Sequence, residues 1–426
     1  MQGARPDVLS TANVPGMTRV LFSGGSVLDG TGSPAAPADV VVADGRVVDV
    51  GPGLDGDEVV DCTGTTLLPG LFDCHVHVLM SGVDTLRQLQ TPYSQVYFEA
   101  VRNLRRTLAL GITSVRDAAG ADLGVAEAVR SGLVRGPRMQ ISLAMISQTG
   151  GHADDWHVCG AETPLLPPTP GRPSGVCDGP DEVRRVVRTL VRAGADVLKV
   201  ATSGGVLSPR DDPRHAHFRP AELAVLVEEA EAAGLAVMAH AQGADGIKNA
   251  VRAGIRSIEH GIFLDDEAIE LMLERGTWLV PTLSAPRAVL AAVAAGAALP
   301  QAVVDKAVAV QAQHDESVAR AHAAGVRIAM GTDSGVGPHG ENLGELQLMA
   351  DRGMAVEDVW HATTLSAARL LRVDDELGSL EPGKRADVVV LAGDAADLSG
   401  LAGRVREVWQ DGARVVAGGR VADPAA

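Results

Sequence analysis

The stretch Arg192–Gly205, "RAGADVLKVATSGG", decides the fold. It joins the end of an amphipathic helix, "DEVRRVVRTLVRAG", to a short apolar strand. Gly194 suits the left-handed position that closes a helix. The strand beyond it is continuously apolar, as expected where both faces are covered. The same phrase recurs in "LALGITSVRD", "AAGLAVMAH", "RAGIRSIEH", "ERGTWLVPT" and "AAGVRIAMGTD", with glycines Gly111, Gly234, Gly254, Gly276 and Gly325. Strands around "LLPGLFDCHVH" and "RMQISLAMIS" bring the count to eight. Eight strand–helix units in roughly 300 residues predict an α/β chain built on a closed (β/α)8 TIM barrel. An open doubly wound sheet is the other architecture that such alternation permits.

The two ends read differently. "DVVVADGRVVDVG" (Asp39–Gly51) is a pair of strands around an Asp-Gly turn, the two-residue loop that matches hairpin twist. "VREVWQDGARVVAGG" (Val405–Gly419) repeats the design, and "ADVVVL" (Ala386–Leu391) adds a strand. A small β-sandwich domain built from both termini is therefore predicted, from residues 1–70 and 374–426, around a barrel over 71–373.

Lys199 sits inside the opening strand, between Leu198 and Val200. Polar residues also close the other strands, at the end where barrel active sites lie. "DCHVH" carries His75 and His77, and residues two apart on a strand face the same side. "VMAHA" ends with His240, "SIEHG" with His260 and "AMGTDSG" with Asp333. Six polar side chains from five strands thus meet at one mouth, unless each is a separate structural residue. Imidazole and carboxylate suit zinc, manganese or iron. One catalytic zinc needs only three protein ligands, so two ions are expected, and two ions need a bridge. Burial lowers the pKa of Lys199, and a neutral amine can capture carbon dioxide as a carbamate, an anion with one oxygen for each metal. A lysine paired with a nearby acid is the simpler alternative.

These segments, with "LEPGKRADVVVL" (Leu380–Leu391), resemble the amidohydrolase superfamily in its imidazolonepropionase-related, prolidase-like branch, over nearly the whole chain after about residue 18. The resemblance implies that His75, His77 and Asp333 hold the more buried metal, His240 and His260 the more exposed one, and carboxylated Lys199 both, most often with zinc. It implies hydrolysis of an amide or peptide bond by a metal-bridging hydroxide, with Asp333 passing the proton to the leaving nitrogen. His152, in "SQTGGHADDW", stands where the family places a histidine that polarises the carbonyl; neighbouring His157 reads as incidental. Gln242 departs from the aromatic hydroxyl of some dipeptide-cleaving relatives. Substrate contacts are also expected from His339, beside Asn342, and from Arg210, an arginine able to grip a C-terminal carboxylate unless its loop is merely solvated. The expected substrate is a dipeptide or an N-acyl amino acid. The alternatives are a mononuclear cyclic-amide hydrolase, like imidazolonepropionase, and a lactone or phosphoester hydrolase.

Composition narrows the partners. Aromatics are 3% of the chain, so the core is aliphatic, and the net charge of −17 argues against nucleic acid or an anionic membrane. A small-molecule substrate and a homo-oligomer are expected. The N-terminus lacks an apolar signal region, and "AVLAAVAAGAALP" (Ala288–Pro300) is too short to span a bilayer. The four cysteines show no close ligand spacing, which suits a cytoplasmic protein; Cys159 and Cys177 would pair only on export. The glycine clusters fit no phosphate loop, and Ser147 and Ser203 lack a nucleophile elbow.

Overall fold

The computed structural model describes residues 18–423 except 155, 157, 158, 163, 165 and 209. The N-terminal segment 1–17 and His157 lie outside the described residues. The repeat phrase folds as read: Gly194, Gly254, Gly276 and Gly325 each close a helix in the left-handed conformation. The strand after Gly194, Val197–Ala201, is buried along its length.

The parallel strands fall into two sheets rather than one ring. One orders Arg138–Ile141, Ile112–Asp117 and Leu71–Val76. The other runs Met145–Ile146, Val197–Ala201, Ala236–Ala241, Ser257–His260 and Trp278–Val280. The expected closed set is interrupted where the backbone leaves regular extension. Leu143, at φ +66°, separates Arg138–Ile141 from Met145–Ile146. The expected eighth strand forms only isolated bridges, Leu279 to Ile328 and Val76 to Ser334. It still binds both neighbours: Ala329 N–H donates to the Leu279 carbonyl at 3.0 Å and Cys74 N–H to the Met330 carbonyl at 2.9 Å. The segment lies so close to its neighbours that a Cβ on Gly331 would come 2.4 Å from Val280.

"LLPGLFDCHVH" divides at Gly70. Thr65–Pro69 joins a terminal sheet and Leu71–Val76 joins the parallel strands. A Cβ at Gly70 would sit 2.2 Å from Thr113 Oγ1, so only glycine fits this crossing. Thr65–Pro69 pairs antiparallel with Val388–Ala392, so strands from both ends share one seven-stranded sheet. A four-stranded sheet contains Val20–Ser23, Asp39–Ala43, Arg46–Gly51 and Glu58–Asp61. Side chains of the two sheets share a core, with the Phe22 ring edge-on to Trp409 at 5.1 Å. Both Asp-Gly turns have positive φ at both residues, 50° and 72° at Asp44 and Gly45, 49° and 71° at Asp411 and Gly412.

All four cysteines are free thiols, with Cys159 exposed and Cys177 buried. Among the described residues no helix is long and apolar enough to cross a membrane.

Candidate metal centre

His75 and His77 end the first parallel strand, and each ring is oriented from behind. His75 Nδ1 lies 2.8 Å from Glu259 Oε2, and His77 Nδ1 lies 2.8 Å from the Ala119 carbonyl oxygen. A carbonyl only accepts, so His77 carries its proton on Nδ1. The buried Glu259 carboxylate, itself held by Arg116 Nη2 at 2.9 Å, fixes the same tautomer on His75. Both Nε2 atoms therefore present lone pairs. They face Asp333 Oδ1, at 3.6 Å from His75 and 3.1 Å from His77. One donor atom from each of the three lies within 4.8 Å of the others.

Three inward-facing lone-pair atoms, two imidazole nitrogens and the Asp333 Oδ1, are what a divalent cation requires. The same contact can be bridged by a proton. Burial lowers the pKa of His77, but the hydrogen bond and charge of Asp333 raise it overall. Burial would raise Asp333, yet His75, His77 and Lys199 hold it well below the usual carboxylate range.

The remaining predicted ligands adjoin this group. Lys199 Nζ is buried, 3.4 Å from His75 Nε2. Burial pushes its pKa down to about 8, against the pull of Glu259 and Asp333. The His260 ring lies 5.1 Å from His75 and 4.6 Å from His240. His240 Nε2 donates to the Gly204 carbonyl at 3.1 Å, leaving Nδ1 free, and His260 Nδ1 meets Thr282 Oγ1 at 2.7 Å, leaving Nε2 free. Burial, first of all, pushes His75, His240 and His260 well below the ordinary imidazole range, so they are neutral and able to ligate. Two of the site residues have left-handed backbone, His260 at φ +72° and Asp333 at +59°. Such strain in non-glycine residues gathers at functional sites.

His152 stacks on His240 with ring centroids 4.0 Å apart. Its Nδ1 lies 2.7 Å from Ser208 Oγ, which in turn donates to Asp211. The Gly205 backbone passes beneath: a Cβ there would stand 2.1 Å from the His152 ring. Burial would raise Asp211, but the neighbouring His152 at 3.7 Å, the hydroxyl of Ser208 and the charge of Lys306 bring it down to about 2. Gln242 lines the same cavity, of about 350 Å³, and its Oε1 is buried without a partner.

Two expected substrate contacts are corrected. Arg210 is exposed and is not among the residues lining the cavity. The inward place in its loop belongs to Asp211, whose neighbour is turned away. His339 is buried behind the site, with Nε2 donating to the His77 carbonyl at 3.1 Å, so it holds backbone instead of lining the pocket. Asn342 likewise donates to Asp73 at 2.8 Å. Burial pushes Asp73 up to about 6; its carboxylate accepts from Thr332 and the His75 N–H, tying the first strand to the segment that carries Asp333.

Sequence reading missed Glu259, Arg116 and Ser208. In "SIEHG", strict alternation turns Glu259 away from His260, and no sequence signal marks the backbone reversal that admits both.

The sequence profile described as the amidohydrolase family matches residues 66–421. The chain is 35% identical over 408 residues to ochratoxinase from Aspergillus niger, covering 91% of this chain and 83% of that one. Among solved structures, a Xaa-Pro dipeptidase with bound methionine in the active site superposes with TM-score 0.85 at 34% identity, over 93% of this chain and 99% of that one. A prolidase complexed with N-methylphosphonate-L-proline superposes with TM-score 0.84 at 34% identity, with the same coverage. The parallel strands thus belong to a (β/α)8 barrel fold of this kind.

Proposed function

The chain belongs to the amidohydrolase family, and from that premise we propose that it hydrolyses the amide or peptide bond of a small substrate, a dipeptide or an N-acyl amino acid. The observation that carries this reading is the convergence of the lone pairs of His75, His77 and Asp333, with the buried Lys199 amine 3.4 Å from His75 Nε2. The relatives' own names support a C–N bond as the target, since two of those structures are called dipeptidase and prolidase.

We assign His75, His77 and Asp333 to one divalent ion, zinc in the first instance, and His240 and His260 to a second. Lys199, carboxylated by carbon dioxide, would serve both. When bound, such ions supply Lewis acidity, polarising a carbonyl and acidifying water. The chain's own residues do the rest. Glu259 and the Ala119 carbonyl hold the two first histidines in the ligating tautomer. His152, steadied through Ser208 by Asp211, donates to the substrate carbonyl oxygen as it gains charge. Asp333 takes a proton from the attacking water and delivers it to the leaving nitrogen. The balance is one amide and one water to one acid and one amine.

The assignment extends to a β-sandwich of residues 1–70 and 374–426 around the barrel of 71–373, and to a cytoplasmic homo-oligomer without nucleic-acid or membrane partners. A panel of dipeptides and N-acyl amino acids, assayed with zinc and bicarbonate, tests the function. Turnover within the panel is expected; none by the fully metal-loaded protein would overturn it.

A further inference from the structure

Two arginines are fully buried among the described residues, and their surroundings differ. Arg116 faces Glu259 at 2.9 Å. Among the described residues Arg172 has no acid against it. Its Nη1 donates to the Gly120 carbonyl and its Nη2 to the Pro167 carbonyl, while Nε is buried with no acceptor among the described residues. Shortage of acids is not the reason, since the chain has 54 Asp and Glu against 37 Lys and Arg. A guanidinium stays charged in any protein, and burying it without a counter-charge is costly.

The position of Arg172 indicates what completes it. Arg172 lies in the wall of the cavity that holds His75, His77, Lys199 and Asp333, and it also borders an adjoining cavity beside Met80, Tyr93 and Leu166. Gly120, which takes its Nη1, follows Ala119, which takes His77 Nδ1. One short piece of backbone therefore sets the guanidinium and a ligand histidine in register. The Thr169–Arg172 turn is bonded across itself, at 2.9 and 3.1 Å, which fixes the base of the side chain. Other parts of the cavity wall are apolar, with Leu143, Met145, Leu166 and Val206 among them.

We infer that Arg172 is a specificity-determining residue that receives the free carboxylate of the substrate's amine half through its Nε–H. The preferred substrates are then acylated amino acids and dipeptides with an apolar body and an open C-terminus, and not neutral amides, cyclic amides or lactones. This rests on the hydrolase reading above and narrows it. Arginine suits the task because a charged N–H donor makes a strong hydrogen bond to a carboxylate.

The test compares wild type, Arg172→Gln and Arg172→Lys, all zinc-loaded, on the best substrate of the panel and on its C-terminal N-methylamide. Arg172→Gln is expected to lose about 100-fold in kcat/KM on the free carboxylate, mainly through KM. On the methylamide it should stay within about threefold of wild type, because no carboxylate is there to lose. Arg172→Lys, which keeps the charge, should fall between. Equal losses on both substrates, or none, would overturn the assignment, since a merely structural arginine moves both alike. Calorimetric titration of N-acetyl-L-leucine and its methylamide into the same proteins separates the two readings. If wild type hydrolyses nothing, the hydrolase reading fails by itself. Carboxylate binding that disappears in Arg172→Gln then still supports Arg172, and binding that is absent or unchanged overturns it.

Discussion

Asp333 Oδ1 stands 3.1 Å from His77 Nε2, and the one proton of a neutral His77 is already given to the Ala119 carbonyl on the far side of the ring. With His77 neutral, two lone pairs face each other in a buried site, and either a second proton on His77 or the divalent ion proposed above would resolve the contact.

Lys199→Ala should reduce turnover by roughly three orders of magnitude or more, because it removes the group proposed to serve both ions. Bound metal should fall below that of wild type while the fold is kept. Elemental analysis beside steady-state kinetics checks this; full activity with undiminished metal would contradict the bridging role.

Capture of carbon dioxide needs the neutral amine. Burial places the Lys199 pKa at about 8 against an ordinary 10.5. The neutral fraction therefore rises as pH climbs through 8 and is nearly complete well before an ordinary lysine would begin to lose its proton. Protein stripped of metal and carbon dioxide, then given zinc and bicarbonate, should recover activity faster as pH rises from about 7 to about 9 and then level off. Stopped-time assays at constant dissolved carbon dioxide check it. A rate still climbing beyond about pH 10 would mean an unshifted amine.

Glu259→Gln should weaken metal affinity by about 10- to 100-fold, since glutamine no longer holds the His75 tautomer through an ionised acceptor. It also leaves buried Arg116 without its counter-charge, a loss of about 3–5 kcal/mol of stability. Chelator competition and denaturant unfolding measure the two effects separately.

Asp211→Asn should lower kcat about 10- to 100-fold with little change in KM, because it removes the carboxylate that anchors the His152 ring through Ser208 while leaving the cavity wall in place. Steady-state kinetics checks this, and a loss carried mainly by KM would contradict it.

The convergence of the six polar side chains was legible because strands impose a period of two and barrels gather strand ends at one mouth. His75, His77, Lys199, His240, His260 and Asp333 all reach one cavity, the last four from segments that follow a helix ending in glycine. What was illegible lies where no period applies. In the loop 207–218 nothing in the sequence says that Asp211 turns inward and Arg210 outward. Arg172 sits in a proline-rich loop whose path is set by its own backbone bonds to Gly120 and Pro167. His339 was read from position alone, yet it packs against the His77 carbonyl. The eighth strand was overestimated: residues 326–332 meet their neighbours through isolated bridges and single backbone bonds rather than a continuous ladder.

Metal content per chain, titrated against activity in protein prepared with zinc and bicarbonate, bears most directly on the paired-ion site. Activity should reach its plateau at about two equivalents per chain, with Lys199 heavier by one carbon dioxide in a crystal structure of the same sample. A plateau at one equivalent, with Lys199 unmodified, would contradict it.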